Sequence, residues 1–455
     1  MLTRSELLAK YNVPGPRYTS YPTVPYWEDT PSQWDWLEAL KQTLNENQEH
    51  GISIYIHIPF CESLCTYCGC NTRITKNHAL GTKYITTLLK ELDLYLEKLS
   101  LQDKPLVAEL HFGGGTPTFL RAHELEILLR GLHERLAFRK DAEISIEAHP
   151  AVTSTEQLDV LARYGVNRLS LGIQDYDPKV QDIVNRHQTP EMVAKITHYA
   201  RKLGMRSINY DLIYGLPLQT PDSIRYTMRF VLQDRPDRIA FYSYAHVPWI
   251  KPSQRRFTEK DLPQGAEKRR LYELGRDLLE ESGYREIGMD HFALESDDLW
   301  QASIRKTLHR NFMGYTPRYV APLLGLGVSA IGDALTVFAQ NEKVLEKYEE
   351  KVERRELPLL RGHILNQEDQ ILRRHILNLM TRLKTSWEDP CLYTEFLDTV
   401  RERLKEMEKD QLVEIHDKEV VVTPEGRAFL RNICMAFDAR LIRKSPGMRV
   451  FSQTI

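Results

Sequence analysis

Residues 51–70 read GISIYIHIPFCESLCTYCGC, an apolar run followed at once by four closely spaced cysteines. The run Ile52–Ile58 is short and rich in β-branched residues, which predicts a buried strand. Cys61, Cys65 and Cys68 follow it on one short segment. We therefore expect three thiols on a loop at the C-terminal end of a strand, where the active sites of α/β proteins form.

Five further apolar runs repeat this pattern towards the middle of the chain. They predict strands at Val107–Phe112, Glu143–Glu147, Asn167–Ile173, Ser207–Ile213 and Arg238–Tyr244. Amphipathic stretches between the runs predict helices, for example at Tyr84–Leu99 and Ala122–Leu136. Strands that alternate with helices form a parallel sheet, and the pattern leaves open whether that sheet is doubly wound or a barrel.

The bulk composition is that of an ordinary globular enzyme. Of 455 residues, 42% are hydrophobic and 27% are charged, and the formal net charge is −2. This charge gives no reason to expect nucleic acid as a partner. The sequence has neither the apolar core of a signal peptide nor the roughly 18 consecutive apolar residues of a membrane span. We expect a cytoplasmic monomer with no nucleic-acid or membrane partner.

The chain divides into three regions by composition. Residues 1–50 are rich in proline and aromatic residues, which argues against long helices and predicts an irregular but ordered extension. Residues 51–340 form the predicted α/β domain. Residues 341–455 are more charged and more helical, and we expect a smaller, mainly helical domain there.

The end of the C-terminal region resembles a winged helix. Leu412–Ile415 and Val420–Thr423 predict a short hairpin, and the helix Pro424–Ala436 follows it. A winged helix suggests DNA binding. The charges of this region are mixed rather than basic on one face, which favours a structural or lid role.

The cysteine pattern favours a metal centre over disulfide bonds. Disulfides usually spread over a small secreted chain, whereas four of the six cysteines here lie between Cys61 and Cys70. Three thiolates on a four-iron cluster leave one iron open to a substrate. Zinc is the alternative metal, although structural zinc usually takes two separated ligand pairs. Cys70 is a further candidate ligand, but its span to Cys68 is short.

The spacing C-x3-C-x2-C, with Tyr67 before the last cysteine, resembles the signature of radical S-adenosylmethionine enzymes. The resemblance implies a [4Fe–4S] cluster on Cys61, Cys65 and Cys68 that splits S-adenosylmethionine to give a 5′-deoxyadenosyl radical. Residues 111–117, HFGGGTP, resemble the segment that holds the amino group of the cofactor's methionine. Glycines suit this role because they let the backbone approach a ligand closely.

Further segments resemble the oxygen-independent coproporphyrinogen III oxidase family within this superfamily. They are GPRYTSYPT at 15–23, SIEAHP at 145–150, NRLSLGIQD at 167–175, DLIYGLP at 211–217, SYAHVP at 243–248, GMDHFA at 288–293, LHRNFMGYT at 308–316, LGVSAI at 326–331 and RNICMAFD at 431–438. The resemblance extends from about Tyr11 to the C-terminus. It implies a partial barrel of about six β/α units with an N-terminal extension, which we expect to act as a lid that excludes water.

The resemblance also implies a reaction. The propionates on rings A and B of coproporphyrinogen III become vinyl groups, giving protoporphyrinogen IX, in haem biosynthesis. An electron donor and an electron acceptor are needed, and the sequence identifies neither.

Family members bind two molecules of S-adenosylmethionine, and the resemblance assigns residues to each. The cluster-bound molecule would contact Tyr55, Gly114, Glu147 and Ile331. The second molecule would contact Tyr67, Gly115, Thr116, Gln174, Arg186, Asp211 and Ala245. For Ala245 and Ile331, the alternative role is simple packing. For the carboxylates Glu147 and Asp211, the alternative is a structural role.

Two positions depart from the family pattern. Many members carry Asp-Pro-Arg after the glutamate, whereas this chain has Ala148, His149 and Pro150 after Glu147. This departure leaves Glu147 in place and puts a role for the following residues in doubt. Tyr67 stands where others carry phenylalanine, which is a tolerable exchange.

The substrate is a flexible tetracarboxylate, so we expect cationic side chains to bind its propionates. The candidates are Arg17, Arg256 and Arg310, each in or near a family-like segment, with surface or structural roles as alternatives. Tyr18 and Tyr21 could stack on pyrrole rings or pack against the barrel. Three histidines at strand ends could be ligands or acids, but hydrogen-bonded scaffold residues are more common there: His57, His111 and His149.

Two other functions are open. Haem-binding chaperones of the same superfamily keep the three-cysteine cluster without decarboxylase activity, and a different radical enzyme could act on another substrate. The chaperones carry phenylalanine in place of Cys70 and lack the extension at 15–23. Both features favour the oxidase.

Overall fold

The computed structural model describes residues 2–444 and 451–454, which contain a twelve-stranded sheet at the centre of the fold. Its first six strands are β1 (Ile52–Ile58), β2 (Leu106–Gly114), β3 (Ala137–Ala148), β4 (Arg168–Gln174), β5 (Ser207–Tyr214) and β6 (Arg238–Ser243). Each pairs in parallel with the next in chain order. The predicted α/β fold with six β/α units is confirmed.

Six later strands extend this sheet on both sides. They are β7 (Tyr284–Gly288), β8 (His291–Leu294), β9 (Leu323–Leu326), β10 (Ile331–Asp333), β11 (Val337–Asn341) and β12 (Leu359–Ile364). The order across the sheet is β12-β11-β10-β9-β1-β2-β3-β4-β5-β6-β8-β7. Strands β7 and β12 are the two edges, so the sheet is an open, partial barrel. All six carboxyl ends of β1 to β6 meet at one edge because these strands run in parallel.

Helices connect the parallel strands and cover the sheet. The main ones are Ala79–Leu99, Ala122–Arg135, Thr155–Arg163, Pro178–Val184, Pro190–Lys202, Pro221–Asp234, Gly265–Glu281 and Asp298–Arg305. The longest buries Tyr84, Leu88, Leu92, Tyr95 and Leu99, which are spaced three or four residues apart. This spacing places all five on one face of the helix, as the sequence predicts.

The N-terminal region is more helical than its composition suggests. Residues Arg4–Tyr11 and Gln33–Glu46 form helices. The prediction of an irregular segment over residues 1–50 is therefore wrong for these parts. The prolines lie between the two helices, and Ser32 caps the second one by accepting a hydrogen bond from the backbone N–H of Asp35.

The C-terminal region combines helices with a small antiparallel sheet. Its helices are Leu345–Glu353, Gln367–Arg382, Phe396–Lys409, Leu430–Ala436 and Ala439–Arg443. The predicted hairpin is present as Val413–Ile415 and Glu419–Val422, and Lys384–Ser386 adds a third strand. The predicted helix Pro424–Ala436 is a 3-10 turn at Glu425–Phe429 followed by a shorter α-helix.

A second hydrophobic core joins the two ends of the chain. Leu8, Tyr18 and Tyr21 from the N-terminal extension are buried among apolar residues of the C-terminal helices. The main sheet continues to Ile364, so chain beyond residue 340 contributes to it. The domain boundaries at 50 and 340 stay predictions. In the part of the chain that the structure describes, no helix is both long and apolar enough to cross a membrane.

Replacement of Trp36 tests how much the helix Gln33–Glu46, which the sequence did not predict, contributes to stability. The side chain of Trp36 is 1% exposed, and its Nε1–H donates to the hydroxyl of Tyr95 at 3.0 Å. We expect Trp36→Ala to cost about 3–5 kcal/mol of stability because it removes a large buried side chain. The measurement is the midpoint of urea denaturation. Trp34→Ala on the same helix is the control, since Trp34 is 70% exposed and its loss should cost less than about 0.5 kcal/mol.

Candidate active site

The cysteine loop is fastened to the glycine segment that follows β2. Gly115 N donates to the carbonyl oxygen of Ile58 at 2.8 Å, and Thr116 N donates to that of Phe60 at 2.9 Å. A Cβ atom on Gly115 would lie 2.8 Å from the carbonyl oxygens of Pro59 and Phe60. Only glycine allows this approach, so the two segments form one rigid base for the thiols.

Each of the three thiols has a polar neighbour. Cys61 Sγ lies 3.4 Å from the hydroxyl of Thr116, and Arg186 donates from Nη1 to Cys65 Sγ at 3.8 Å. Cys68 Sγ accepts a hydrogen bond from the backbone N–H of Cys70 at 3.4 Å. Hydrogen bonds and a positive charge stabilise thiolates, which are the form that binds metal.

The thiol environments differ in their effect on ionisation. Hydrogen bonds from the side chain and backbone of Cys70 lower the pKa of Cys68 to about 6. Burial raises the pKa of Cys61 to about 11, and the Thr116 hydroxyl opposes this rise. Cys70 therefore acts on Cys68 as a hydrogen-bond donor.

A single metal ion is the alternative to a cluster at this site. Within residues 2–444 and 451–454, no group of three or more His, Cys, Asp or Glu side chains forms a site for a metal ion. The assignment of an iron–sulfur cluster therefore rests on the three thiols of one loop and on the similarity to known proteins described below.

Arg186 presents an unused hydrogen-bond donor beside the thiols. Its Nη2 donates to the carbonyl oxygen of Gly172 at the end of β4, while its shielded Nε has no partner among the described residues. A buried N–H without a partner is costly and rare. This nitrogen is suited to bind an acceptor on a ligand, such as the carboxylate of an amino acid. Gln174 lies alongside, in the left-handed region with φ of 67°.

Glu147 is held at the end of β3 by two hydrogen bonds. Its Oε2 accepts from the backbone N–H of Gly114 at 3.2 Å, and its Oε1 accepts from His111 Nε2 at 3.3 Å. Since the carboxylate can only accept, His111 carries its proton on Nε2, and Nδ1 accepts from the hydroxyl of Ser145 at 2.7 Å. His111 thus orients Glu147 next to the glycine segment.

Tyr55 and His57 form a second fixed pair, on β1. The Nε2 of His57 donates to the carbonyl oxygen of Asn71 at 2.9 Å, so its Nδ1 accepts from the hydroxyl of Tyr55 at 3.0 Å. Burial lowers the pKa of His57. The hydrogen bonds of this neutral ring are satisfied, which supports its role as a scaffold residue. The ring of Tyr55 also stacks on that of His111, with centroids 5.9 Å apart.

Asp211 lies in the barrel interior on β5. It accepts hydrogen bonds from the Ser170 hydroxyl at 3.0 Å and from the Asn209 amide at 2.8 Å. Burial, together with the charge of Glu147, raises the pKa of Asp211 to about 6. Asp211 and Glu147 line one cavity of about 200 Å³ inside the barrel.

The remaining candidates for cofactor contact occupy neighbouring strand ends. Tyr55 on β1 pairs with Gly325 on β9, and a Cβ on Gly325 would lie 2.5 Å from the carbonyl oxygen of Ile331. Ile331 therefore lies against Gly325, one strand further from Tyr55. Tyr67 and Ala245 are connected by one side chain, since Gln254 Nε2 donates to the carbonyl oxygens of both, at 2.9 and 3.2 Å.

Sequence analysis missed Gln254. Its side chain is 1% exposed and also accepts from the backbone N–H of Val247 at 2.6 Å. It therefore fixes the cysteine loop to the segment after β6. The only signal in the sequence is a polar residue close to SYAHVP, which is not specific.

The candidates for substrate contact have different environments. Arg17 donates to the carbonyl oxygen of Ser243 at 2.7 Å, and Arg256 is exposed at the end of a 3-10 turn. Tyr18 and Tyr21 are buried in the second core, where the hydroxyl of Tyr18 donates to Asp438 at 2.9 Å. Packing is therefore enough to account for both tyrosines.

Arg310 differs from these residues because it is buried and incompletely paired. It is 8% exposed, and its Nε and Nη1 have no hydrogen-bond partner among the described residues. Its guanidinium lies 4.5 Å from the ring centroid of Tyr315, and Tyr315 lines the barrel cavity with Tyr242 and His291. Burial and the Arg310 charge lower the pKa of His291 to about 3.

Known proteins are similar to this chain over nearly its full length. The radical SAM superfamily model matches residues 55–231. The oxygen-independent coproporphyrinogen III oxidase of Escherichia coli (strain K12) is 40% identical to this chain and covers 99% of it, with 98% of the relative covered. The protein of the same name from Pseudomonas aeruginosa is 39% identical, with 96% of each chain covered.

A solved structure agrees with this similarity. The structure of coproporphyrinogen III oxidase from Escherichia coli, a radical SAM enzyme, matches with a TM-score of 0.87 at 37% identity and covers 95% of this chain and 98% of its own. This chain belongs to the oxygen-independent coproporphyrinogen III oxidase family. As a radical SAM protein of this family it uses a [4Fe–4S] cluster and S-adenosylmethionine. The donor set of three thiols and the unpaired Nε of Arg186 fit these two groups.

Cysteine variants test which thiols hold the cluster. We expect Cys61→Ser, Cys65→Ser and Cys68→Ser each to lose most of the bound iron and sulfide, because each removes one thiolate ligand. Cys70→Ser should keep the cluster. The measurement is the iron and sulfide content and the visible absorbance after anaerobic reconstitution. Loss of the cluster in Cys70→Ser, with retention in one of the other three, would contradict the assignment.

Proposed function

We propose that this protein is an oxygen-independent coproporphyrinogen III oxidase, which converts the ring A and ring B propionates of coproporphyrinogen III to vinyl groups and gives protoporphyrinogen IX in haem biosynthesis. Full-length similarity carries the proposal, since relatives of this name match 99% of the chain, including the N-terminal extension and the cysteine loop. The three thiols at the end of β1 provide the chemical basis.

The cluster and S-adenosylmethionine, when bound, supply a radical that removes one hydrogen atom from the β-carbon of a propionate. The propionate then loses carbon dioxide and one electron, which leaves a vinyl group. The reaction therefore needs a one-electron donor for the cofactor and an acceptor for the electron of the substrate. The protein's own contribution is to bind and orient these molecules and to exclude water.

We assign the cluster to Cys61, Cys65 and Cys68, and the cluster-bound S-adenosylmethionine to four residues near β1. These four are Tyr55, Gly114, Glu147 and Ile331. Support comes from the contacts around the glycine segment, because Glu147 accepts from the N–H of Gly114 and its carboxylate has further positions that can accept from an amino group. An ammonium group is a good donor for such a carboxylate.

We assign a second S-adenosylmethionine to a further set of residues in the cysteine loop, the glycine segment and the neighbouring strand ends. The residues are Tyr67, Gly115, Thr116, Gln174, Arg186, Asp211 and Ala245. Arg186 supports this assignment because its unpaired Nε needs an acceptor, which the methionine carboxylate would supply. Asp211 supports it because a carboxylate accepts hydrogen bonds from ribose hydroxyls.

Arg310 is our candidate to bind a propionate of the substrate. Two of its N–H groups lack an acceptor in the protein, and the aromatic residues around it would exclude water from the ion pair. Arg17 is less suited, because it is 3.5 Å from Asp290 and also binds a backbone carbonyl. Arg256 lies on the surface, so it is less suited than Arg310 to bind a buried propionate.

The other expectations about this protein keep their status as predictions. These are the lid role of the N-terminal extension, the cytoplasmic location, the monomeric state, and the absence of a nucleic-acid or membrane partner. The electron donor and acceptor are open.

Turnover is the direct test of the proposed function. Anaerobic incubation with a chemical reductant, S-adenosylmethionine and coproporphyrinogen III should give protoporphyrinogen IX together with 5′-deoxyadenosine and methionine. Products are separated by chromatography and identified by mass. No product from protein with a full cluster, together with stable haem binding, would instead favour the haem-binding chaperone.

The role of Arg310 has its own test. We expect Arg310→Gln to lower kcat/KM for coproporphyrinogen III by roughly 30-fold, equal to about 2 kcal/mol, because a desolvated carboxylate would lose its cationic partner. Formation of 5′-deoxyadenosine without substrate should be unchanged. Arg305→Gln is the matched control, since Arg305 is exposed on a nearby helix. Unchanged kcat/KM in a correctly folded Arg310→Gln variant would exclude this role.

A further inference from the structure

Three cationic side chains that the sequence keeps far apart lie together beside the cysteine loop. Lys251 donates from Nζ to the carbonyl oxygen of Cys70 at 3.0 Å. The next residue, Asn71, donates from its amide to the carbonyl oxygen of Lys343 at 3.0 Å. Arg361 completes the group, because it lies on β12 opposite Gln340, which is three residues before Lys343. In agreement with this placement, burial and the charges of Arg361 and Lys251 lower the pKa of Lys343. We call these three residues the cationic rim.

Arg361 connects the cationic rim to the cofactor site. It lies on β12 opposite Gln340 of β11 and donates from Nε to the Gln340 amide oxygen at 2.8 Å. Gln340 in turn pairs with Ile331 on β10. One strand, β11, therefore separates Arg361 from Ile331, a residue that we assign to the cluster-bound S-adenosylmethionine.

Protein carboxylates do not neutralise the cationic rim. Within the described residues, none of the three cations forms an ion pair with an aspartate or a glutamate. The acidic residues nearest to Lys343 along the chain are engaged elsewhere: Glu342 pairs with Lys351 at 2.7 Å, and Glu346 with Arg73 at 3.1 Å. Like charges held together without counter-charges destabilise the free protein, and an anionic ligand would relieve this repulsion.

An aromatic wall adjoins the cationic rim. The guanidinium of Arg361 lies 5.8 Å from the ring centroid of Trp27. Trp27 stacks on Phe338 with centroids 5.4 Å apart, and its ring meets Phe312 edge-on at 6.4 Å. Trp27 and Phe312 are only partly buried, so their rings remain accessible to a ligand. Aromatic faces next to unpaired cations suit a flat, apolar molecule that carries carboxylates at its edge.

We propose that Lys251, Lys343 and Arg361 bind the two propionates that the reaction retains, while a propionate to be decarboxylated enters the barrel. This inference rests on the proposed function and adds how the substrate is oriented. With one propionate inside the barrel, three carboxylates stay outside at the first turnover and the two retained ones at the second. The rim offers the retained pair charge-assisted hydrogen bonds. The two retained propionates are present at both turnovers, so the same cations have a ligand each time.

The cationic rim could alternatively attract an acidic electron-transfer protein. The structure favours the substrate as the ligand, because Arg361 contacts both the aromatic wall and Gln340. Gln340 pairs with Ile331, which we assign to the cofactor site. A protein that only docks on the surface needs neither of these contacts. The choice of reductant separates the two possibilities, since a small chemical reductant needs no docking site.

The test is steady-state kinetics with a chemical reductant. We expect Lys343→Gln and Arg361→Gln each to raise KM for coproporphyrinogen III about tenfold while kcat changes less than about twofold. The double variant should raise KM further, and added salt should reduce the difference from the parent protein. Arg361→Lys should recover part of the loss because it keeps the charge. Lys347→Gln is the matched control, as Lys347 is exposed and lies four residues after Lys343.

The outcomes distinguish this inference from the proposed function. If the parent protein turns substrate over and the rim variants have an unchanged KM, the inference is wrong and the proposed function stands. Activity lost only with a protein electron donor would show that the rim docks that donor, and this also overturns the inference. Absence of turnover in the parent protein would instead remove the proposed function. Iron content and the substrate-free formation of 5′-deoxyadenosine check that each variant has an intact cofactor site.

Discussion

The contact between the cysteine loop and the glycine segment is the constraint on which the site depends. Two backbone hydrogen bonds, from Gly115 to Ile58 and from Thr116 to Phe60, hold the loop against the end of β2. The carbonyl oxygens of residues 59 and 60 come so close that a β-carbon at position 115 has no space. The thiols therefore have a fixed position relative to β1, β2 and the Thr116 hydroxyl, and the remaining strand ends are arranged around this base.

The parallel sheet and its connections place polar side chains around this base, and some of these side chains have N–H groups without hydrogen-bond partners. Arg186 and Arg310 are shielded from solvent and keep unpaired N–H groups, whereas Glu147 and Asp211 accept hydrogen bonds from neighbouring residues and keep acceptor positions for a ligand. Buried donors without acceptors reduce stability, so the unpaired donors of Arg186, beside the thiols, and of Arg310, beside Tyr315 of the cavity lining, indicate positions that suit anionic ligands. The structural glutamine Gln254 shows the opposite case, since its amide binds three backbone groups and is fully used.

The charge distribution explains why the net charge of the chain is a poor guide to its ligands. A formal charge of −2 averages over local regions of opposite sign. Many basic residues of the described chain have carboxylate partners, for example Arg168 with Glu143 and Arg238 with Asp297, whereas Arg310 and the cationic rim form no ion pair among the described residues. The N-terminal extension adds Trp27 to this region and also packs Tyr18 and Tyr21 into the C-terminal core. The two ends of the chain thereby stabilise each other around the barrel opening.

The sequence by itself determined the six barrel strands, their helices and the three thiols, because strand period, helix period and cysteine spacing are local properties. Its family-like segments also determined the expected reaction. It did not predict the helix Gln33–Glu46, because the neighbouring prolines were given too much weight. It also did not predict the strand Lys384–Ser386, which is short and is stabilised by pairing with Glu419–Val422. The tertiary structure alone decided which cations lack partners and which of them meet. Lys251, Lys343 and Arg361 are separated by up to 110 residues, and they come together only through the register of β11 and β12 and the fold of the cysteine loop. Whether a buried donor finds an acceptor depends on all the residues that surround it in the folded protein, and no single segment of sequence contains that information.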